Sequence, residues 1–354
     1  MMLSKPTKAA SLLAAAVFLV VAGSTASSQE SGADDRATRP SSLASLAPES
    51  LLLDVTAAND RAIAVGERGH VLLSESRTDW RQVVTPTQSL LTAVHAVGNN
   101  AWAVGHDQVI LHSSDGGLSW ELQNHDVESD GPLLDVHFLD AQQGFAIGAY
   151  GQFLATSNGG ADWTVGLISD RTREVADDQA EEEVAKEDEN SWLVSTDIGE
   201  EEGDPHLNAI VRTEAGMLIL AEAGAAYRST SDGERWTKLS LPYEGSMFGG
   251  VALDDGSVLA FGLRGNVFRT ADLGQSWQAI ESGTESSLYG GQALSGARAI
   301  LVGAGGTIAL APAGASQLRL LSYPDGGSMT SVLAISDVQF VVVGENGVSI
   351  FRPN

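Results

Sequence analysis

The chain is predicted to fold as an all-β, seven-bladed propeller. Three observations carry that expectation: a marker that recurs seven times, short apolar runs on either side of it, and an aspartate-glycine loop closed by tryptophan after several copies. The marker is Gly-x-x-Gly after an apolar run, as in Val65-Gly66-Glu67-Arg68-Gly69, Ile147-Gly148-Ala149-Tyr150-Gly151, Phe261-Gly262-Leu263-Arg264-Gly265, Val302-Gly303-Ala304-Gly305-Gly306 and Val343-Gly344-Glu345-Asn346-Gly347. The copy at Gly105 has Gln108 in the second glycine position, and the copy at Ala221 keeps only Gly224. Starts at 66, 105, 148, 221, 262, 303 and 344 give intervals of 39, 43, 73, 41, 41 and 41 residues, so one interval holds an insertion.

The flanking runs, such as Ala62–Val65 and Val71–Leu73, are too short for helices and rich in β-branched and aliphatic residues, which makes them strands. A third strand precedes each marker (Leu91–Val94, Leu134–His137, Leu207–Ile210) and a fourth begins at the tryptophan (Trp80–Val83, Trp277–Ile280). Four strands per repeat define a propeller blade. The last unit stops at Asn354 without a fourth strand, so the stretch just before Leu51 is expected to pair there and close the ring between the N- and C-terminal strands.

The loop motif is Ser/Thr-x-Asp-x-Gly-x-x-Trp, the Asp-box. Ser113–Trp120 has it in full with Asp115, Gly117 and Trp120, and so does Thr270–Trp277 with Asp272 and Trp277. Asn158 replaces the aspartate before Trp163, and Ser231 replaces it before Trp236. A short Asp or Asn side chain can accept from the amides of its own turn while glycine takes positive φ. The tryptophan then packs between neighbouring sheets, so the motif is expected to be a folding element of the outer rim.

The N-terminus reads as a secretory signal peptide: Lys5 and Lys8, the apolar run Ala9–Val21, then small residues with a cleavage site near Ala26. Residues 27–46 have no periodicity and are expected to be a disordered leader, with the propeller occupying 47–354. Periplasmic localisation follows. The insertion, 170–204, carries fifteen Asp and Glu against Arg171, Arg173 and Lys186, and is expected to be a solvated segment within the propeller. The chain has no cysteine, which removes disulfides, thiolate zinc and thiol catalysis. A net charge of −26 makes nucleic acid an unsuitable partner.

Equivalent positions in successive blades form rings. Thirteen residues before the marker stand Thr92, Asp135, Asn208, Gly249, Gly290 and Ser331, with Asp54 as the nearest match in blade one. This ring is expected at the mouth of the central channel. The turn position before the marker's last glycine gives Arg68, Asp107, Tyr150, Ala223, Arg264, Gly305 and Asn346, so Arg68 and Arg264 should face one side, with Arg212 of blade four adding to them. His95, His106, His112, His137 and His206 lack metal-ligand spacing and are expected to be ordinary strand or surface histidines. No catalytic, cofactor or metal site is expected.

The Gly-x-x-Gly turns, the Asp-boxes and phrases such as Leu134-Asp135-Val136-His137-Phe138 and Thr156-Ser157-Asn158-Gly159-Gly160-Ala161-Asp162-Trp163 resemble the photosystem II stability and assembly factor family over about residues 47 to 354. That resemblance implies a non-enzymatic, monomeric propeller which docks on a membrane or exported protein through an arginine-bearing face. Here Arg68, Arg264, Arg212 and Tyr150 would be the partner-binding residues, and the acidic insertion departs from the family pattern. In photosynthetic members the resemblance implies photosystem assembly; in other bacteria it implies an accessory to a membrane complex such as a resistance-nodulation-division transporter. The alternative is a sialidase-like glycoside hydrolase or glycan-binding propeller, since Asp-boxes are shared with sialidases. A sialidase-like site would need an arginine triad on the inner strands, where only Arg212 is found.

Overall fold

The computed structural model describes residues 36–129, 131–173, 203–323 and 326–353. Each marker copy lies in its own antiparallel sheet, giving seven blades. The innermost strands are Leu52–Ala58, Leu91–Val97, Leu133–Phe138, Leu207–Thr213, Met247–Ala252, Leu288–Leu294 and Met329–Ser336. Each packs against the next, and the last packs against the first. The signal segment and residues 174–202 of the acidic insertion lie outside the described residues.

The marker glycines have two separate physical causes. At Gly66 the backbone is extended, but an added Cβ would stand 2.2 Å from the Leu51 carbonyl oxygen, because the chain entering the inner strand crosses directly over the turn. The amide of Glu67 donates to that same oxygen at 3.0 Å, so the crossing is locked. The second glycine meets a different constraint: Gly69 has φ 67°, and Arg68 before it has φ 55°. Blade two tolerates Gln108 at φ 48° because its side chain donates to Ser129 Oγ (2.8 Å) and its carbonyl accepts from Asn124 Nδ2 (2.8 Å). Gly105→Ala puts a Cβ 2.0 Å from Leu90 O. The substitution is expected to lower stability by about 1–3 kcal/mol, read as a shift in urea midpoint; an unshifted midpoint would show that the crossing segment yields freely.

The hydrophobic core is divided into seven clusters, each between two adjacent blades. Leu52, Ala64 and Leu72 of blade one meet Leu333, Val341 and Val343 of blade seven. Ile63 and Leu73 meet Val94 and Leu111 across the next gap. Trp102, Phe138 and Leu154 join blades two and three, and Phe153, Ile219 and Trp236 join three and four. Leu220 meets Phe268, Phe261 meets Leu301, and Ile300 meets Phe340 across the remaining gaps.

The tryptophan loops seal the outer ends of these gaps. Asp115 accepts from the amide of Ser119 (2.9 Å) and from Ser113 Oγ (2.8 Å), Ser113 Oγ accepts from the amide of Gly117 (2.9 Å), and Trp120 Nε1 donates to Gly117 O (3.1 Å). Asp272 makes the same contacts to Ser276 and Thr270, and Asn158 makes them to Asp162 and Thr156. Trp120, Trp163 and Trp277 each border the core shared with the preceding blade, and Trp236 is buried in it. In blade six the buried Leu318 takes that place.

Two expectations about the N-terminal stretch need correction. Residues 36–46 are not a free leader: Arg36 O accepts from the amide of Gln88 (2.8 Å), Ser41 N donates to Thr85 O (2.8 Å), and the Gln82 side chain bonds Ala44 N and Ser42 O. Gln82 and Thr85 supply the polar groups that compensate this segment's lack of periodicity. Nor does the stretch before Leu51 complete the last blade. Residues Ala47–Glu49 form one 3-10 turn, and blade seven has three strands among the described residues. Pro48 at the start of that turn has no amide proton to offer a ladder. Blade four instead gains a strand: Thr172–Arg173, at the entry to the acidic insertion, pairs in parallel with Trp236–Thr237.

Candidate functional site

The residues expected at the channel mouth fall into two levels. Every inner strand carries a bulge, and the number of residues between the bulge and the marker varies by one, so counting back thirteen mixes the levels. Asp54, Asp135, Gly249, Gly290 and Ser331 stand just after their bulges, whereas Thr92 and Asn208 are the bulged residues themselves.

Both levels join blades. Thr92 Oγ1 donates to Leu133 O (2.7 Å), Asn208 Nδ2 to Met247 O (2.9 Å) and Thr330 Oγ1 to Leu52 O (2.9 Å), each reaching the first inner residue of the following blade. Asp54 accepts from Val94 N (2.9 Å) in blade two and from Ser331 Oγ (2.8 Å) in blade seven. Asp135 accepts from Val136 N (2.7 Å) and from Ile210 N (2.7 Å) in blade four. Burial raises the pKa of both carboxyls, that of Asp135 to about 7 against the pull of its amide donors.

Sequence reasoning missed the third level, two residues further along. His95 Nδ1 accepts from Phe138 N (3.2 Å), and Gln292 Oε1 accepts from Ala334 N, so both repeat the clamp across a blade boundary. His95 and His137, expected to be unrelated strand histidines, have ring centroids 4.4 Å apart. Burial pushes His95 down to about 4 and, with the charges of His95 and Arg212 adding, His137 down to about 3. The signal in the sequence was only partial: His137 follows Asp135 by two residues but His95 follows Thr92 by three, and it is the bulge at Thr92 that puts both histidines two places beyond the post-bulge level, on one face.

The Gly-x-x-Gly turns gather on one face. Arg68, Tyr150 and Arg264 all stand exposed there in the left-handed conformation, with Tyr150 52% exposed and edge-on to His206 at 4.7 Å. Blades one, three and five supply them, so no two come from neighbouring blades. Asp107, at the same turn position in blade two, accepts from Ser89 Oγ (2.5 Å). Arg212 does not join this group. It lies at the far end of its strand, beside the Glu214–Ala215 hairpin, and donates to Leu139 O (3.1 Å) on the opposite face. The strand's direction explains the error, because its start and its end belong to different faces.

An open cleft of about 870 Å³ on that second face is lined by Arg212, Glu214, Thr230, Asp232 and Asp254. Among the described residues no group of His, Asp and Glu side chains is arranged to hold a metal ion. Tyr227, on the strand that leads to Thr230 of this cleft, is buried, with its hydroxyl pKa pushed up to about 12 by desolvation.

The molecule is therefore a seven-bladed propeller whose channel-lining polar groups clamp its blades together. In sequence, parts of it are similar to photosystem II assembly proteins. It is 35% identical over 89 residues to the photosystem II assembly protein Ycf48 of Synechococcus sp. strain JA-2-3B'a(2-13), covering 24% of this chain and 26% of the relative. It is 30% identical over 116 residues to the photosystem II assembly lipoprotein Ycf48 of Synechococcus sp. strain CC9902, covering 33% and 26%. The chain thus spans about a quarter of the length of the curated relatives it matches. No family model matches it.

Among solved structures, YCF48 bound to D1 peptide aligns with TM-score 0.63 at 14% identity, over 86% of this chain and 93% of that one. YCF48 from Cyanidioschyzon merolae aligns with TM-score 0.62 at 15% identity, over 86% and 96%. The WD40 propeller domain of Doa1 reaches 0.60 at 16% identity, over 86% and 94%, so the structural likeness describes the fold alone.

Proposed function

We propose that this chain is a non-catalytic docking propeller, exported to the periplasm, that assists the assembly or operation of a membrane protein complex. The observation that carries the reading is the sequence match to assembly proteins. The face bearing Arg68, Tyr150 and Arg264 supports it, since exposed arginines on a chain of net charge −26 are suited to a partner's carboxylates. The client would be a photosystem subunit in a photosynthetic source and a transporter of the resistance-nodulation-division class elsewhere.

The test is purification of the tagged protein from cross-linked, detergent-solubilised envelopes, comparing wild type with the Arg68→Glu/Arg264→Glu double variant. One membrane complex, enriched with wild type and reduced at least tenfold with the double variant, is the expected result. Recovery of no membrane protein with either form would refute the docking role. Equal recovery with both would move the binding site off this face.

A further inference from the structure

The outer edge of blade seven departs from the other six blades in a way that points to a ligand. Elsewhere the third strand lies between two others and is almost wholly buried, as in Val71–Ser74, where every residue is buried. In blade seven the third strand, Gly347–Phe351, pairs with Gln339–Gly344 on one side and with no strand of the described residues on the other. Its residues Val348, Ser349 and Ile350 are correspondingly only half-buried.

The space beside it is a groove of about 390 Å³ lined by Pro48, Thr78, Asp79, Trp80, Val348, Ser349 and Ile350. Its upper boundary is built as in a finished blade. A Cβ on Gly347 would stand 2.0 Å from Pro48 O, just as one on Gly69 would stand 2.1 Å from Thr87 O and one on Gly265 2.3 Å from Thr284 O. Thr87 and Thr284 each follow a fourth strand, so Pro48 marks the end of a strand position that no strand of the described residues fills. Leu43 and Leu46, 68% and 64% exposed, lie in the segment that leads to Pro48.

We infer that blade seven accepts an extended, basic peptide segment of a partner protein as its fourth strand. Main-chain hydrogen bonds to an unpaired edge supply affinity, and side chains at alternate positions supply selectivity. The orientation follows from the other blades, whose fourth strands run antiparallel to their third. The C-terminal end of the guest therefore lies at Gly347, beside Glu49 and Glu345, and its N-terminal end near Phe351. Charge favours a cationic guest, because Glu49, Asp79 and Glu345 outnumber Arg77 and Arg352 around the edge and the whole chain carries 46 acidic against 20 basic residues. The side chains that face Trp80, Val348 and Ile350 are aliphatic, as Val83 is in blade one.

The test uses the full chain and a dye-labelled synthetic peptide that copies residues 234–242, the fourth strand of blade four, with two lysines added at its C-terminus. Fluorescence anisotropy reports affinity, and amide hydrogen exchange reports where the peptide lies. Saturable binding is expected, with at least tenfold slower exchange of residues 347–351. Ser349→Pro should weaken it tenfold or more. Glu49→Lys should weaken it severalfold and reduce its salt dependence. Arg68→Glu/Arg264→Glu should leave it unchanged, which separates this edge from the docking face.

Binding without protection of residues 347–351 would overturn the inference, and so would full affinity in a folded Ser349→Pro variant. Should that variant unfold, the exchange pattern of wild type and the Glu49→Lys affinity decide. Protection of the same strand that grows with protein concentration and needs no peptide would identify a second copy as the occupant and overturn the partner assignment.

Discussion

Trp102→Ala is expected to remove about 3–5 kcal/mol of folding stability, read from denaturant unfolding followed by far-UV circular dichroism. Trp102 is fully buried between blades two and three, with its ring stacked on Phe138 at 3.5 Å and on His112 at 5.1 Å. Its Nε1 donates to Gly159 O (3.1 Å), in the tryptophan loop of blade three. One side chain thus supplies apolar area, aromatic stacking and a hydrogen bond across the same boundary. Trp102→Phe should cost less, because it retains a stacked ring, and Gly159 O still accepts from Gln123 Nε2 (3.0 Å). A loss below about 1 kcal/mol in the alanine variant would mean that the two blades close over the space left behind.

The second large effect is sensitivity to acid. His95 and His137 are held neutral, at about 4 and about 3, so between those values and the ordinary histidine pKa the unfolded chain binds two protons that the folded chain does not. Stability from this pair is present above about pH 6.5 and is lost as the pH falls. Asp135 acts in the opposite sense: with its pKa raised to about 7, the folded state holds a proton that the unfolded state has released, so its contribution declines as the pH rises from about 4 to 7. The raised pKa of Asp54 works in the same direction as that of Asp135.

Two histidines against one fully shifted carboxyl leave a net dependence of at most about 1.4 kcal/mol per pH unit, with stability falling toward acid between about pH 6 and 4. His137→Gln should flatten that slope. Asp135→Asn should steepen it, and should lower stability outright, because an amide has one acceptor for the two backbone amides that Asp135 serves. Urea midpoints at pH 7, 6 and 5 measure all three proteins, and an unchanged slope in His137→Gln would exclude the histidine pair as its source.

The blade count was legible because a repeat states its own period, and the glycines and loop tryptophans could be placed because backbone crossing and turn geometry demand particular residues. The levels of the inner ring were less legible. Asp54 and Asp135 belong together, yet Thr92 and Asn208 stand one residue away on their bulges, and a bulge leaves no mark in the hydrophobic alternation. The pairing of His95 with His137 depends on which blades are neighbours, which the sequence implied, and on a register of one residue, which it did not. Arg212 was misplaced for a simpler reason: a strand seven residues long has ends on opposite faces. The packing of Ala37 and Ser41 was hidden because its hydrogen-bond partners, Thr85 and Gln88, are polar residues of a loop.

The sharing of every core cluster between neighbours has a consequence for the order of events in folding. Thr330 reaches Leu52 O across 278 positions of sequence, and the cluster there joins the first complete blade to the last. A newly made chain can assemble its early boundaries as it emerges, but that joint must wait for the final residues, and until then both flanking blades present an uncovered apolar side. The hoop is thus most vulnerable to proteases and to mispairing with other chains in the interval between the appearance of blade one and the arrival of blade seven.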